Sequence, residues 1–140
     1  MFVILDTNHY REMLHETELG GKLSERLRER DADAFTTIVT VQEITQGWTA
    51  EINRCKTGRD QVRAYEQFEN AIHDFADITI LAFDSEAAEI FHAFSASLRR
   101  IGTMDLKIAA IACSHGALLL SRNLRDFTQV PVLTVENWLD

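Results

Sequence analysis

Short apolar runs rich in β-branched residues alternate along this chain with longer segments of helical periodicity, and that alternation limits the folds open to it. Phe2 to Leu5 is one such run, ending abruptly in Asp-Thr-Asn; others cover Ala34 to Val39, Ile78 to Phe83, Ala117 to Leu120 and Val130 to Val135. Runs that stay apolar without polar alternation suit strands covered on both faces. Between them the spacing predicts helices over His9 to His15 and Gly21 to Arg30. Thr40 is placed to cap a third helix carrying Val41, Ile44, Trp48 and Ile52 on one face. After the Thr57-Gly58 break, Asp60 is placed to cap a fourth, with Val62, Tyr65, Phe68, Ile72 and Phe75 as a buried stripe. Asp84-Ser85 opens a long helix through Arg100, and Gly102 ends it. Asp105 opens a small-residue helix that His115-Gly116 closes. Parallel neighbours require crossover helices, which cover both faces of the sheet. The expected fold is therefore an α/β sandwich with a mostly parallel sheet, in one domain over residues 1–140 and with its site outside the carboxyl ends of the strands.

Composition narrows the function classes. With 14 Lys and Arg against 22 Asp and Glu, the net charge is -8, and the pI is near 5.1. This excludes a protein that coats nucleic acid through a broad basic surface, because that mode needs many phosphate-neutralising cations. Cys55 and Cys113 lie far apart without a CxxC or a nearby His at zinc spacing, and both read as small buried apolar residues. The five histidines lack metal-ligand spacing. No stretch approaches the ~20 apolar residues that cross a bilayer, and MFVILDTN lacks a basic leader, so a cytoplasmic location and no membrane partner are expected.

Four acids stand where the chain turns from strand to helix or opens a helix: Asp6, Glu43, Asp105 and Asp126. Each has a local explanation. Asp6 could cap the first helix, Glu43 could close a capping box with Thr40, Asp105 could favour a helix N-terminus, and Asp126 could stabilise a turn. Together they would form a carboxylate cup, in which each like-charged pair at ~5 Å costs roughly 3 kcal/mol at an effective dielectric of ~20. Such a cluster requires cations or protons. Ser121 and Asn123 follow a strand end, where they could orient the carboxylates or close a turn. Arg122, Arg125 and Lys107 lie near the acids in sequence and could grip flanking phosphates or stay solvated. Gly47 is read as a site of close backbone packing. Tyr10, Trp48 and Phe127 are read as core residues or as packing for a bound segment.

The hydrophobic opening with LDTN, the TVQEITQG segment, the GTMDLKIAAIA segment and the NLRDF segment occur in this order along the chain. In these motifs the chain resembles the PIN domain family, and most closely the VapC-type toxin ribonucleases of toxin and antitoxin pairs. Residues 51–76 show no close match to that pattern. The resemblance implies a three-layer α/β/α sandwich and a metal-dependent endoribonuclease, with Asp6, Glu43, Asp105 and Asp126 as its acidic quartet. Asn8, Ser121 and Asn123 would be the accompanying polar residues. It further implies Mg²⁺ or Mn²⁺ held by Asp6 and Asp105, with Glu43 and Asp126 acting directly or through water. In-line attack of a metal-activated water on the phosphodiester would follow. An RNA substrate, a cognate antitoxin that blocks the site and a homodimer complete the expectation. Two alternatives stay open: a housekeeping RNA-processing PIN nuclease without an antitoxin, and a non-catalytic interaction module whose acids are caps. An aspartyl phosphatase would need a second Asp two positions after Asp6, where Asn8 stands.

Overall fold

Phe2–Leu5 forms strand β1, and its Val3, Ile4 and Leu5 are wholly shielded from solvent, as a strand covered on both faces must be. The computed structural model describes residues 1–94 and 96–140. After β1 come helices α1 (Thr7–Leu14) and α2 (Glu18–Glu29), strand β2 (Asp33–Thr37), and helices α3 (Ile38–Arg54) and α4 (Gly58–Asp74). A 3-10 turn at Phe75–Asp77 leads to β3 (Thr79–Leu81) and α5 (Ser85–Ala93), and a second at Ala96–Arg100 leads to α6 (Thr103–His115). Strand β4 (Leu118–Leu120), the short α7 (Leu124–Phe127) and β5 (Thr134–Glu136) follow.

The five strands pair in the order β3-β2-β1-β4-β5, all parallel. Chain order runs outward from β1 through β2 to β3, then resumes on the other flank with β4 and β5. The reversal lies between β1 and β4, whose registered ends are Leu5 and Leu120. Side chains alternate across β1, so Ile4 enters one core with Leu119, Ala109, Ile111 and Phe127. Val3 and Leu5 enter the other with Leu118, Leu120, Tyr10, Leu23 and Ile44. Helices α5 and α6 cover the first face and α1 to α4 the second, which makes the expected three-layer α/β/α sandwich.

Several element boundaries differ from the sequence reading. The second strand ends at Thr37, whose hydroxyl accepts from the Thr40 N–H at 3.1 Å, so Thr37 rather than Thr40 caps α3. Thr57 rather than Asp60 caps α4, accepting from the Asp60 N–H at 3.1 Å. Of the five residues in the stripe expected to be buried on α4, three face out, with Val62 and Tyr65 each 54% exposed and Ile72 49% exposed. Phe75, the last residue of that stripe, is buried as expected, Phe68 is half-buried, and Ala64 is buried as well. Ala71 and Phe75 join the core around Tyr10 and Ile44.

The long helix expected from Asp84 to Arg100 stops at Ala93, where Phe94 turns extended. The following 3-10 turn buries Leu98, with Ile101 just beyond it, against the α5–α6 core; position 95 of the expected helix lies outside the described residues. Gly102 is the N-cap of α6, which starts at Thr103 rather than Asp105. The last strand begins only at Thr134, because Val130 still donates to Phe127 in a helical turn and Val132 has φ 68. Both cysteines are free and half-buried rather than buried.

Gly20 is demanded by packing. A Cβ there would stand 1.8 Å from the Glu12 carbonyl oxygen, so only glycine lets α2 cross α1 at this distance. His9 is equally constrained. It is fully buried, and its Nε2 accepts the Trp138 N–H at 3.1 Å, which ties the residues after β5 to α1. Burial, reinforced by Arg122 and opposed by Asp140, pushes its pKa down to about 4.

Two outcomes follow. Gly20→Ala is expected to lower unfolding free energy by about 1–3 kcal/mol in urea titration. For His9, a depressed folded pKa means its contribution is complete above the unfolded value of 6.5 and is lost as pH falls toward 4. The stability gap between wild type and His9→Gln is therefore expected to shrink by roughly 2 kcal/mol between about pH 7 and about pH 4.5.

Candidate active site

The carboxyl edge of the sheet gathers the acids at the reversal point of the strand order, where parallel α/β sheets form clefts. Asp6 directly follows β1, and its backbone N–H continues the ladder by donating to the Leu120 carbonyl at 3.0 Å. The carboxylate caps α1 by accepting from the Thr7 N–H at 2.7 Å. Its second oxygen accepts from the Ser121 hydroxyl at 2.8 Å. The capping explanation for Asp6 therefore holds without excluding a site, since one carboxylate serves both.

Glu43 lies more than a turn inside α3, too far along to close a capping box, because the helix begins at Ile38 under Thr37. Buried threonines set this part of the helix in place. Thr36 donates to the Leu5 carbonyl at 3.1 Å, Thr37 caps the helix, and the Thr40 hydroxyl meets that of Thr7 at 3.5 Å. Asp105 sits in the first turn of α6, which has no side-chain cap. Ligand oxygens of Asp6, Glu43 and Asp105 lie within 4.8 Å of one another.

Asp126, on α7, joins through an intermediary. The Asn123 amide donates to Asp105 at 3.3 Å and to Asp126 at 3.0 Å, bridging two carboxylates that would otherwise only repel. Asn123 is held in turn, since its own N–H donates to the Ser121 hydroxyl at 3.0 Å. Ser121 thus closes the turn and bonds Asp6, while the Asn123 amide bonds two further acids. Asn8 is exposed on the first turn of α1, and among the described residues it makes no hydrogen bond to an acid.

The electrostatics register the crowding. Burial raises the pKa of Asp6, while Ser121 and Thr7 oppose the rise. Burial, followed by the charges of Asp6 and Asp105, raises Glu43, opposed by a hydrogen bond from Thr7 and by Arg11. Burial and Asp6 raise Asp105, with Asn123 in opposition. One buried carboxylate oxygen of Glu43 has no hydrogen-bond partner. Carboxylates that resist ionisation and an orphaned acceptor, all oxygen donors, are what a hard divalent cation would satisfy.

Thr7 and Arg11 were not singled out in the sequence, although Thr7 is inside the LDTN motif and Arg11 lies one helical turn further on. Their effect on Glu43 depends on α1 packing beside α3, which local spacing does not reveal. Gly47 is not needed for close backbone packing: a Cβ there would meet only the Arg11 guanidinium, at 3.8 Å. Phe127 is core, and Tyr10 is buried and stacked on Phe75 with ring centroids 5.5 Å apart. Trp48 is half-buried and lines a groove of about 760 Å³ between α1, α3 and α4.

Known proteins agree with this architecture. Ribonuclease VapC2 of Haemophilus influenzae is 41% identical over 73 residues, a stretch covering 49% of this chain and 55% of that protein. The tRNA(fMet)-specific endonuclease VapC of Salmonella typhimurium is 34% identical over 65 residues, or 44% and 49% of the two chains. The chain thus spans about half the length of these relatives. VapBC2 from Rickettsia felis, solved bound to a DNA fragment from the promoter, has a chain that superimposes with a TM-score of 0.74 at 21% identity, covering 99% of both chains. That likeness establishes the fold. The PIN domain model matches residues 3–133, which contain the whole carboxylate cluster and all but the last strand, and the chain belongs to the PIN domain family.

Proposed function

We propose that this protein is a metal-dependent endoribonuclease that hydrolyses RNA phosphodiester bonds as the toxin of a toxin and antitoxin pair. The observation that carries this reading is the meeting of Asp6, Glu43 and Asp105 from segments far apart in the chain, within 4.8 Å and with raised pKa values. Caps alone would give no reason for Glu43, which caps nothing.

Asp6 and Asp105 would hold the cation directly, while Glu43 and Asp126 would act directly or through water. The all-oxygen donor set favours Mg²⁺, with Mn²⁺ as a substitute. When bound, the ion would activate water and offset charge developing on the phosphoryl oxygens. The chain's own residues would provide the orientation. Ser121 fixes one oxygen of Asp6, and Asn123 holds Asp105 and Asp126 in register. Glu43, with its raised pKa and an unpartnered oxygen, would accept the proton of the attacking water.

The antitoxin would lie in the groove between α1, α3 and α4, where Leu14, Ile44 and Trp48 offer apolar contact and Arg11 marks the end nearest Glu43. A basic side chain entering from it would compete with the cation for the same carboxylates. A homodimer and cytoplasmic action complete the proposal. Among the described residues, no helix is long and apolar enough to cross a membrane.

Purified protein is expected to cut end-labelled total RNA, tRNA included, into discrete fragments with Mg²⁺ or Mn²⁺. EDTA or Asp6→Ala should abolish the fragments, and uncut RNA in every lane would count against the proposal. Asn123→Ala should lower kcat by about 10- to 100-fold, as expected when a group orienting ligands is lost.

Metal should also show in stability. Folded pKa values above the ordinary 3.8 and 4.5 mean that the native protein holds protons the unfolded chain releases, so without metal it loses stability as pH rises through the shifted range. A cation replaces those protons. Mg²⁺ at 100 times its Kd is expected to add about 2.7 kcal/mol, read as a rise in Tm that is larger near pH 7.5 than near pH 5. Asp6→Asn should raise the Tm of the metal-free protein and remove the metal increment.

A further inference from the structure

Beside the acids, on the β3 side of the sheet edge, a second hollow opens between the start of α3 and the residues after β3. It has a volume of about 340 Å³ and is lined by Ile38, Val39, Gln42, Phe83 and Lys107 among others. Two of these sit next to acids on the same helices: Gln42 adjoins Glu43 on α3, and Lys107 is two residues beyond Asp105 on α6. The turns of α3 and α6 that carry Glu43 and Asp105 thus also carry residues lining the hollow.

Its chemistry is mixed. Ile38, a large apolar side chain, is 44% exposed at the mouth. The Lys107 ammonium lies 5.6 Å from the centre of the Phe83 ring and 5.8 Å from that of Phe91. Among the described residues it forms no ion pair with a carboxylate. In a chain of net charge -8, a lysine parked on two aromatic rings with no acidic partner is a cation available to an anion.

We propose that this hollow is the subsite for the nucleotide adjoining the scissile phosphate, an inference that rests on the ribonuclease reading above. Lys107 swings from the rings to the phosphate of that nucleotide and frees the face of Phe83. The base stacks there against Ile38, and the Gln42 amide meets its edge. Single-stranded RNA is recognised in this way, with unstacked bases laid on aromatic rings and their edges hydrogen-bonded. The volume lies in the range of small-ligand sites. A lasting contact between two copies of the chain needs about 800 Å² from each partner, far more than such a hollow presents.

The experiment uses a fluorescein-labelled single-stranded RNA that the wild type cuts at one site. Anisotropy in Ca²⁺ reads binding, and initial rates in Mn²⁺ give KM and kcat. Lys107→Ala and Phe83→Ala are each expected to raise Kd and KM about tenfold, with kcat falling much less. Removing the base from one nucleotide beside the cut should weaken wild-type binding by a similar factor and Phe83→Ala little further. The subsite is overturned if Lys107→Ala keeps wild-type Kd and KM, or if the abasic penalty persists in full in Phe83→Ala.

Light scattering on Ile38→Glu adds a separate control. Conversion of a dimer to a monomer with unchanged KM would assign the hollow to a second copy and overturn the subsite. Wild-type binding that depends on Lys107 without cleavage would sink the ribonuclease reading and support the hollow as a nucleotide site while overturning its place beside a scissile phosphate. Normal cleavage with unaltered variants would do the reverse, and wild type that neither binds nor cuts would overturn both.

Discussion

Three carboxylates can stand within 4.8 Å of one another only if something supplies what their mutual repulsion removes, and in this protein neutral hydrogen-bond donors supply part of it. Thr7 and Ser121 serve Asp6, Thr7 also reaches Glu43, and Asn123 spans Asp105 and Asp126. None carries charge, so the donors orient the carboxylates without neutralising them, and the raised pKa values remain. The rest of the fold is arranged to deliver these groups. A wholly parallel sheet brings the ends of β1 and β4 side by side, and reversal of strand order there opens the edge to which α3 and α6 contribute their acids.

The two faces of the sheet play different parts. On one, α6 contributes Ile108, Ala109, Ile111 and Ala112, mostly small residues that let the helix bearing Asp105 lie close to the strands. On the other, four helices pack around Tyr10, Leu23, Ile44 and Phe75 and leave a groove beside Glu43. The acids sit where these faces meet.

Much of this was legible from residue order alone. Apolar, β-branched runs placed the five strands to within a few residues, and Asp6 at the end of the first marked the sheet edge where the acids gather. What escaped depended on neighbours. In Thr-Thr-Ile-Val-Thr-Val, β-branched residues continue from strand into helix, so nothing local separates a cap at Thr37 from one at Thr40. On α4 the apolar stripe promised a buried face, but Val62, Tyr65 and Ile72 stay exposed and only its end, at Phe75, is buried. After Ala93 neither glycine nor proline marks the end of α5, and the burial of Leu98 and Ile101 in the following 3-10 turn is a tertiary effect. At the site, the resemblance of their motifs to the PIN family set the acids apart from ordinary caps, whereas Thr7 and Arg11 act through an α1–α3 contact that no periodicity encodes.

Gly20 gives the site a mechanical asymmetry. By allowing α2 to press on the Glu12 carbonyl, it joins α1 and α2 into one body, and the His9–Trp138 contact clamps that body from a third direction. Asp6, the cap of α1, is therefore mounted on two helices packed as one unit. Asn123 and Asp126 ride instead on a four-residue helix held by a few short-range bonds. The cup therefore rests on two kinds of support: Asp6 on a pair of joined helices tied to the residues after β5, and Asp126 on one short helix pinned by the buried Phe127.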